Sequence, residues 1–206
     1  NTAMSYPWTP EDDHMTDQTP VESAYYYKLM RRAIDRIDAE AERLDGLVGQ
    51  LLTFSKLDAD MRGERAPIRL SELIDGVIED VRFGHAGQPL RIDFSGDEAI
   101  LVTAHAGALR SAIENVIHNA VIHGGSEVHV SLEQEGEHAI LSVTDSGGGV
   151  DAGELDRLFE PFFRATRSGA TEGTGLGLAI AARALAMHDG TITARNVEPG
   201  LRVEMR

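Results

Sequence analysis

An α+β two-layer sandwich preceded by a long bundle helix is the fold this sequence predicts, and three observations carry that reading. From about Val21 to Asp60 there is no proline, and apolar residues recur at alternating gaps of three and four. Beyond residue 67 helical and strand patterns follow one another in mixed order, where a doubly wound parallel sheet would need strict alternation. Glycine-rich turns stand after one predicted strand and before one predicted helix, at Asp145-x-Gly147-x-Gly149 and Gly173-Thr174-Gly175-Leu176-Gly177.

The elements follow in order. Residues 1–20 hold three prolines, many acids and amides and little apolar pattern, so they read as a disordered tail or an expression remnant. In 21–60 the series Met30, Ile34, Ile37, Ala41, Leu44, Val48, Leu51, Ser55 forms a heptad seam flanked by charges such as Asp35, Arg36, Glu40 and Arg43. One helix with one apolar stripe cannot bury it alone, so the seam predicts a bundle or coiled coil and hence a dimer. Residues 61–67 read as a polar linker, and 68–206 as the globular domain.

Within that domain Ser71 with Glu72 is the expected start of a helix whose inner face carries Leu73, Ile74, Val77, Ile78 and Val81. Residues 90–94 alternate as a strand, and 100–103 read as a second, more buried one. A helix is expected from about Ala106 to His123 with Leu109, Ile113, Val116, Ile117 and Ala120 inward. Strands at 128–132 and 139–143 flank an acidic turn; a short helix at 153–159, a helix at 176–187 and paired strands at 192–194 and 201–205 complete the chain.

Composition removes several function classes. Zero cysteines exclude disulfides, thiolate zinc sites and cysteine nucleophiles. A formal net charge of -15 argues against sequence-independent nucleic-acid binding, which relies on Lys and Arg to neutralise phosphates. One nucleotide remains possible, since Mg²⁺ and a few local donors can offset its charge. No apolar run approaches the ~18 residues of a membrane helix.

The chemistry lies in four short motifs. Asn115 and Asn119 are four apart on a predicted helix and so share a face. Their carboxamide oxygens are hard, neutral donors of the kind Mg²⁺ accepts while it keeps phosphate oxygens and water as its other ligands. Asp145 at a strand end can accept a hydrogen bond from an exocyclic amine, and Gly147 and Gly149 let the backbone approach a flat ligand. Gly173, Thr174, Gly175, Leu176 and Gly177 precede a helix and can aim backbone N–H groups at phosphate. Between the turns, 164–172 is polar, offers Arg164 and Arg167 to phosphate, and reads as a lid ordered by ligand. Phe159, Phe162 and Phe163 are expected to anchor the base of that lid in the core. His85, His105, His129, His138 and His188 read as structural, and His118 and His123 as packed or solvated.

With these motifs in order the chain resembles the C-terminal part of a bacterial two-component sensor histidine kinase, within the ATPase superfamily that includes gyrase B, Hsp90 and MutL. Residues 115–119 match the N box, 145–149 the first glycine box, 159–163 the F box and 173–177 the second. The likeness runs from about Ala33 to Arg206 and implies the Bergerat-type ATP-binding fold, with helices on one face of a mixed sheet. It implies ATP and Mg²⁺ as cofactors, Asn119 as the metal ligand assisted by Asn115, Asp145 on the adenine amine and the five glycines shaping the loops. The run from Arg43 to Leu52, with Ser55-Lys56-Leu57, looks like the second helix of the dimerisation and phosphotransfer bundle. Implied partners are a second copy through that helix, a histidine-bearing bundle helix in cis or trans, and a response-regulator receiver domain. The implied setting is a cytoplasmic domain of a parent anchored in the inner membrane.

Two departures stand out. The phosphoacceptor box is absent, and His14 imitates it only loosely, so the accepting histidine is expected on a helix outside this chain or on another chain. The family often has a basic residue three after the second Asn, where Ile122 stands here. Two rival functions follow: an ATP-hydrolysing relative of Hsp90 or MutL type, and a degenerate nucleotide-binding or dimerisation scaffold. Hydrolysis would need a Glu at the position of Asn115, while Glu114 points about 100° away around the helix.

Overall fold

A computed structural model describes residues 28–37, 40, 41, 48, 64–87, 89–166 and 174–206. The tail, the Arg43–Leu52 run, Arg167 and Gly173 lie wholly or largely outside them. The chain divides between Leu44 and Asp45 into two units.

In the first unit, helix α1 comprises residues 28–37, with 40 and 41 also helical. Its seam is uncovered: Met30 is 60% exposed, Ile34 54% and Ile37 66%. An apolar stripe facing water is what the heptad pattern predicts of a bundle helix taken without its partner.

The second unit is built on a five-stranded mixed sheet. Its strands are β2 (Arg91–Gly96), β4 (Glu127–Glu135), β5 (His138–Asp145), β6 (Ile192–Asn196) and β7 (Leu201–Met205), in the order β2-β4-β5-β7-β6. β2 runs parallel to β4, and the other pairs are antiparallel. Alternation decides which face is inside. In β4, Val128, Val130 and Leu132 are buried while Glu127 and His129 are exposed. Three helices, α2 (Leu70–Gly84), α3 (Ala106–His123) and α4 (Gly177–Ala186), contribute to the same core. Ile74, Val77 and Ile78 of α2, Ile113, Val116 and Ile117 of α3, and Ile180 of α4 are almost wholly withdrawn from water. Each such side chain contributes about 1.5–3 kcal/mol of burial, and together these stripes hold the two layers together.

Three local expectations are corrected. Residues 66–69 form a strand, β1 (Ala66–Arg69), that pairs antiparallel with β3 (Leu101–Ala104) as a separate two-stranded sheet. Pro67 is compatible with this because such a pair has open edges. β3 is therefore outside the main sheet and less buried than its apolar run suggested, with Leu101 59% exposed. Second, Ser71 does not cap α2: the helix starts at Leu70, Arg69 is the N-cap without a side-chain cap bond, and Ser71 is buried with its hydroxyl donating to the Glu98 carbonyl. Third, the single short helix expected at 153–159 is divided into two 3₁₀ turns, Ala152–Glu154 and Asp156–Phe159. Seven residues with a glycine among them cannot recover the cost of an α-helical nucleus.

Candidate functional site

Asp145 is the last residue of the central strand β5, registered against Val128 of β4, and is only 7% exposed. Its Oδ1 accepts backbone N–H bonds from Gly147 at 2.8 Å and Leu201 at 3.2 Å. Around it the chain has no room for side chains. A Cβ on Gly124 would lie 2.1 Å from the Asp145 Cβ, one on Gly200 2.0 Å from its carbonyl oxygen, and one on Gly147 2.7 Å from the His123 carbonyl oxygen. Gly200 also has φ +100, which L side chains rarely adopt. Burial pushes the Asp145 carboxyl above its ordinary value; the two N–H donors and His123 oppose that shift without cancelling it.

The turn after Asp145 is held from the far edge of the sheet. Gly149 has φ +64, and a Cβ there would lie 2.6 Å from Asn196 Oδ1. Asn196, the last residue of β6, accepts the Val150 N–H at 3.0 Å and donates to the Val150 carbonyl at 2.8 Å. Ser146 donates to the Gly124 carbonyl at 3.0 Å and so ties the turn to the end of α3.

Asn115 and Asn119 lie on α3 at the margin of its buried face, both half-buried, while Glu114 and His118 face solvent. The Asn115 amide nitrogen donates back to the Ser111 carbonyl at 2.8 Å, which directs Oδ1 outward. A Cβ on Gly177, the first residue of α4, would lie 3.0 Å from that oxygen. The N-terminus of α4 and the first asparagine thus meet at close range. α4 has no side-chain cap bond, so its first-turn N–H groups stay available to an acceptor. Next to it the Thr174 hydroxyl is buried with no hydrogen-bond partner among the described residues. Such a group costs about 1–3 kcal/mol and is stable only if something else gains from it.

The F box meets the second glycine box through backbone. The Phe162 N–H donates to the Gly175 carbonyl at 2.8 Å, and a Cβ on Gly175, φ +71, would lie 2.6 Å from the Phe163 carbonyl oxygen. The aromatic rings behave less uniformly than expected. Phe159 packs on the core, Phe163 lies under the Arg157 guanidinium at 4.1 Å, and Phe162 is 62% exposed with φ 65. Phe162 does not anchor the core, because its left-handed backbone serves the bond to Gly175 and turns the ring outward. Farther along, Glu154 holds Thr166 by the N–H at 3.2 Å and by the hydroxyl at 2.6 Å.

Arg164 is exposed and close enough to His123 to act on its charge. Desolvation holds the His123 imidazole below its ordinary value, Arg164 pushes the same way and Asp145 opposes. His118 is also held down, first by desolvation and then by His85. Ile122 supplies no charge at this end of α3.

Of the residues the sequence singled out, Asn115, Gly175 and Gly177 with Thr174 and Leu176 gather at the start of α4, and Asp145, Gly147 and Gly149 at the end of β5. Gly124, Gly200 and Asn196 were missed. Gly200 had a turn signal in Pro199-Gly200, and Gly124 stands in a Gly-Gly step after a helix. Nothing in the sequence marked Asn196, whose role exists only because β6 ends beside the 145–149 turn.

The family model of histidine kinase-, DNA gyrase B- and HSP90-like ATPases matches residues 104–206. The phosphate regulon sensor protein PhoR of Pseudomonas aeruginosa is 34% identical over 176 residues, covering 82% of this chain and 39% of that protein. The chain spans about two-fifths of the length of the curated relatives it matches. Among solved structures, the mycobacterial sensor histidine kinase MprB superposes with TM-score 0.61 at 28% identity, over 68% of this chain and 95% of that one. The ATP binding domain of PrrB from Mycobacterium tuberculosis superposes with TM-score 0.58 at 27% identity, over 70% and 96%.

Proposed function

The chain belongs to the family of histidine kinase-, DNA gyrase B- and HSP90-like ATPases, and on that premise we propose that it is the ATP-binding catalytic core of a sensor histidine kinase, moving the terminal phosphoryl group of ATP to a histidine nitrogen. The observation that carries this reading is the pairing of a buried carboxylate in a glycine cradle with an uncapped helix start beside an unpartnered buried hydroxyl. Asp145 selects adenine: Oδ1 is occupied by two backbone N–H groups, which leaves Oδ2 to accept the exocyclic amine. Guanine presents a carbonyl there and would set acceptor against acceptor. Thr174 donates its hydroxyl to phosphate, and the first N–H groups of α4 face the same charge. Arg164, and Arg167 on the stretch that follows, add cationic donors.

Asn119 and Asn115 fit Mg²⁺, being neutral oxygen donors one helical turn apart on α3, with Asn115 Oδ1 beside the start of α4. When bound, the ion supplies charge neutralisation on the phosphate oxygens. In the transfer the histidine nitrogen forms a bond to the terminal phosphorus as the bond to the bridging oxygen breaks, and ADP leaves. The residues of this chain position and desolvate; none forms a covalent bond. Asn115 occupies the position at which a hydrolytic relative would need a carboxylate, and Glu114 faces solvent on another side of α3, so transfer is favoured over hydrolysis.

The exposed seam of α1 is the surface for a second copy and for the helix that carries the accepting histidine, and a response-regulator aspartate is the onward acceptor. Among the described residues no helix is long and apolar enough to cross a membrane. The deciding experiment supplies ATP labelled on its terminal phosphate, Mg²⁺ and a separate histidine-bearing bundle helix. Acid-labile, base-stable label on that helix is the expected result. Nucleotide binding without label would favour a scaffold, and release of free phosphate without label would favour an ATPase.

A further inference from the structure

The two helices that bring Asn115 and the α4 N-terminus together are fixed to each other at their opposite ends by one histidine. His188, just past α4, has both ring nitrogens engaged. Nδ1 lies 2.7 Å from the Ala184 carbonyl oxygen, and Nε2 lies 3.0 Å from the backbone nitrogen of His105. A carbonyl can only accept and a backbone N–H can only donate. Nδ1 therefore carries the proton and Nε2 the lone pair, and the ring is held as one neutral tautomer. His105 is the N-cap of α3, which has no side-chain cap bond of its own. His188 thus accepts the backbone N–H just before α3 and donates its own Nδ1–H to a carbonyl near the end of α4, joining the two helices through one ring.

The geometry makes this a register pin. α3 and α4 run antiparallel, with His105 just before α3 meeting His188 just past α4, and Asn115 in the middle of α3 meeting Gly177 at the start of α4. The two contacts are separated by ten or eleven residues on each helix, roughly 15 Å of axis. α3 and α4 pack against each other along this length. A cavity of ≈ 120 Å³ near the His188 end is lined by Leu109, Leu185 and His188 and, from the sheet, by Leu141 and Met205, so this corner lacks full support from the sheet side. Apolar packing is non-directional, and the hydrogen bond supplies the directional contact at this corner. Arg65, which precedes β1, donates to the Met187 carbonyl at 2.7 Å and ties the incoming chain to the same corner.

We propose that His188 is a positioning residue for the phosphate end of the nucleotide site: through the α3 N-terminus it sets the axial register of α3 against α4, and so the spacing of Asn115 from the α4 N-terminus. The inference rests on the nucleotide reading above. It separates the two halves of the site, because the far end of α3 is anchored to the Asp145 turn through Gly124 and Ser146, so that loss of the pin lets α4 shift while α3 and Asp145 stay in place.

The test uses the whole chain with ¹⁵N-labelled histidine and two ligands, adenosine and a non-hydrolysable ATP analogue with Mg²⁺. Wild type should show His188 protonated at Nδ1 and bare at Nε2. His188→Asn keeps a donor near the Nδ1 position for Ala184 but loses the acceptor for His105; His188→Gln places an acceptor near the Nε2 position. Asn should weaken the Mg²⁺-bound analogue about tenfold, with adenosine unchanged, and Gln should recover to within about threefold of wild type. An Nε2–H tautomer, parallel losses for both ligands, or Asn and Gln behaving alike would overturn the proposal. A wild type that binds neither ligand would instead sink the nucleotide reading, and the tautomer would still report whether the pin exists.

Discussion

The two ends of the proposed nucleotide site, the Asp145 turn read as its adenine end and the start of α4 as its phosphate end, are built on opposite plans. At the adenine end the frame is tied internally: Asp145 holds two N–H groups on one oxygen, Asn196 closes the turn with two bonds, and three glycines leave no slack around the carboxylate. At the phosphate end the groups are left open. The Thr174 hydroxyl is buried with no partner among the described residues, the start of α4 has no side-chain cap bond, and Asn115 Oδ1 lies beside that start. A flat neutral base is recognised by shape, which rigid backbone supplies. A triphosphate with its ion is recognised by charge and hydrogen bonds, which require unsatisfied donors and acceptors in the free protein.

That contrast can be broken most severely at the adenine end. Gly200→Ala would put a methyl 2.0 Å from the Asp145 carbonyl in a left-handed backbone. Overpacking of about 1–3 kcal/mol with backbone strain of about 1–3 kcal/mol should lower stability and abolish adenosine binding, read by thermal denaturation and calorimetry. Unchanged adenosine affinity would show that the cradle is not rigid.

Asp145→Asn is subtler. The amide oxygen can still accept from Gly147 and Leu201, while the amide nitrogen would face the exocyclic amine donor to donor. ATP affinity should fall about 10–100-fold while the free protein melts no lower than wild type. The reverse pattern, intact binding with lost stability, would make Asp145 a purely structural residue.

Thr174→Val tests the open end. Removing a buried hydroxyl without a partner should stabilise the free protein by about 1 kcal/mol and weaken the ATP analogue several-fold, leaving adenosine untouched. A destabilised variant would mean that the hydroxyl already has its partner in the free state.

The smallest effect is that of pH. Asp145 is raised by burial, so its folded form binds a proton more readily than the unfolded chain does. Its contribution to stability is therefore full below the unfolded value, near 3.9, and is lost as pH rises through the raised folded value. His123 and His118 are lowered, so their contributions are full above about 6.5 and are lost as pH falls through their lowered values. Adenosine affinity should fall on acidification through the raised Asp145 range in wild type and stay flat in Asp145→Asn. A titration that is the same in both would assign the pH dependence to the histidines.

Much of this arrangement was legible from the sequence because it is local. The i, i+4 pair of asparagines, the carboxylate at a strand end and the glycines before a helix each fall within one turn or one element, where spacing fixes direction. The inner faces of α2 and α3 were readable for the same reason. β1 and the modest burial of β3 were not, since Leu101 is exposed only because its strand pairs with 66–69 and stays outside the main sheet. The same holds for Phe162, which patterns as core and is turned out by a bond to Gly175.

By itself the sequence determined the α+β class and which elements carry the motif residues, because hydrophobic period and glycine placement act over a few residues. Tertiary structure alone decided which glycines surround Asp145, that Asn196 holds the first turn, and that His188 receives the backbone N–H of His105, the residue before α3. Those contacts join residues 46–83 positions apart or lie where two elements cross, and no local period encodes where separate elements meet.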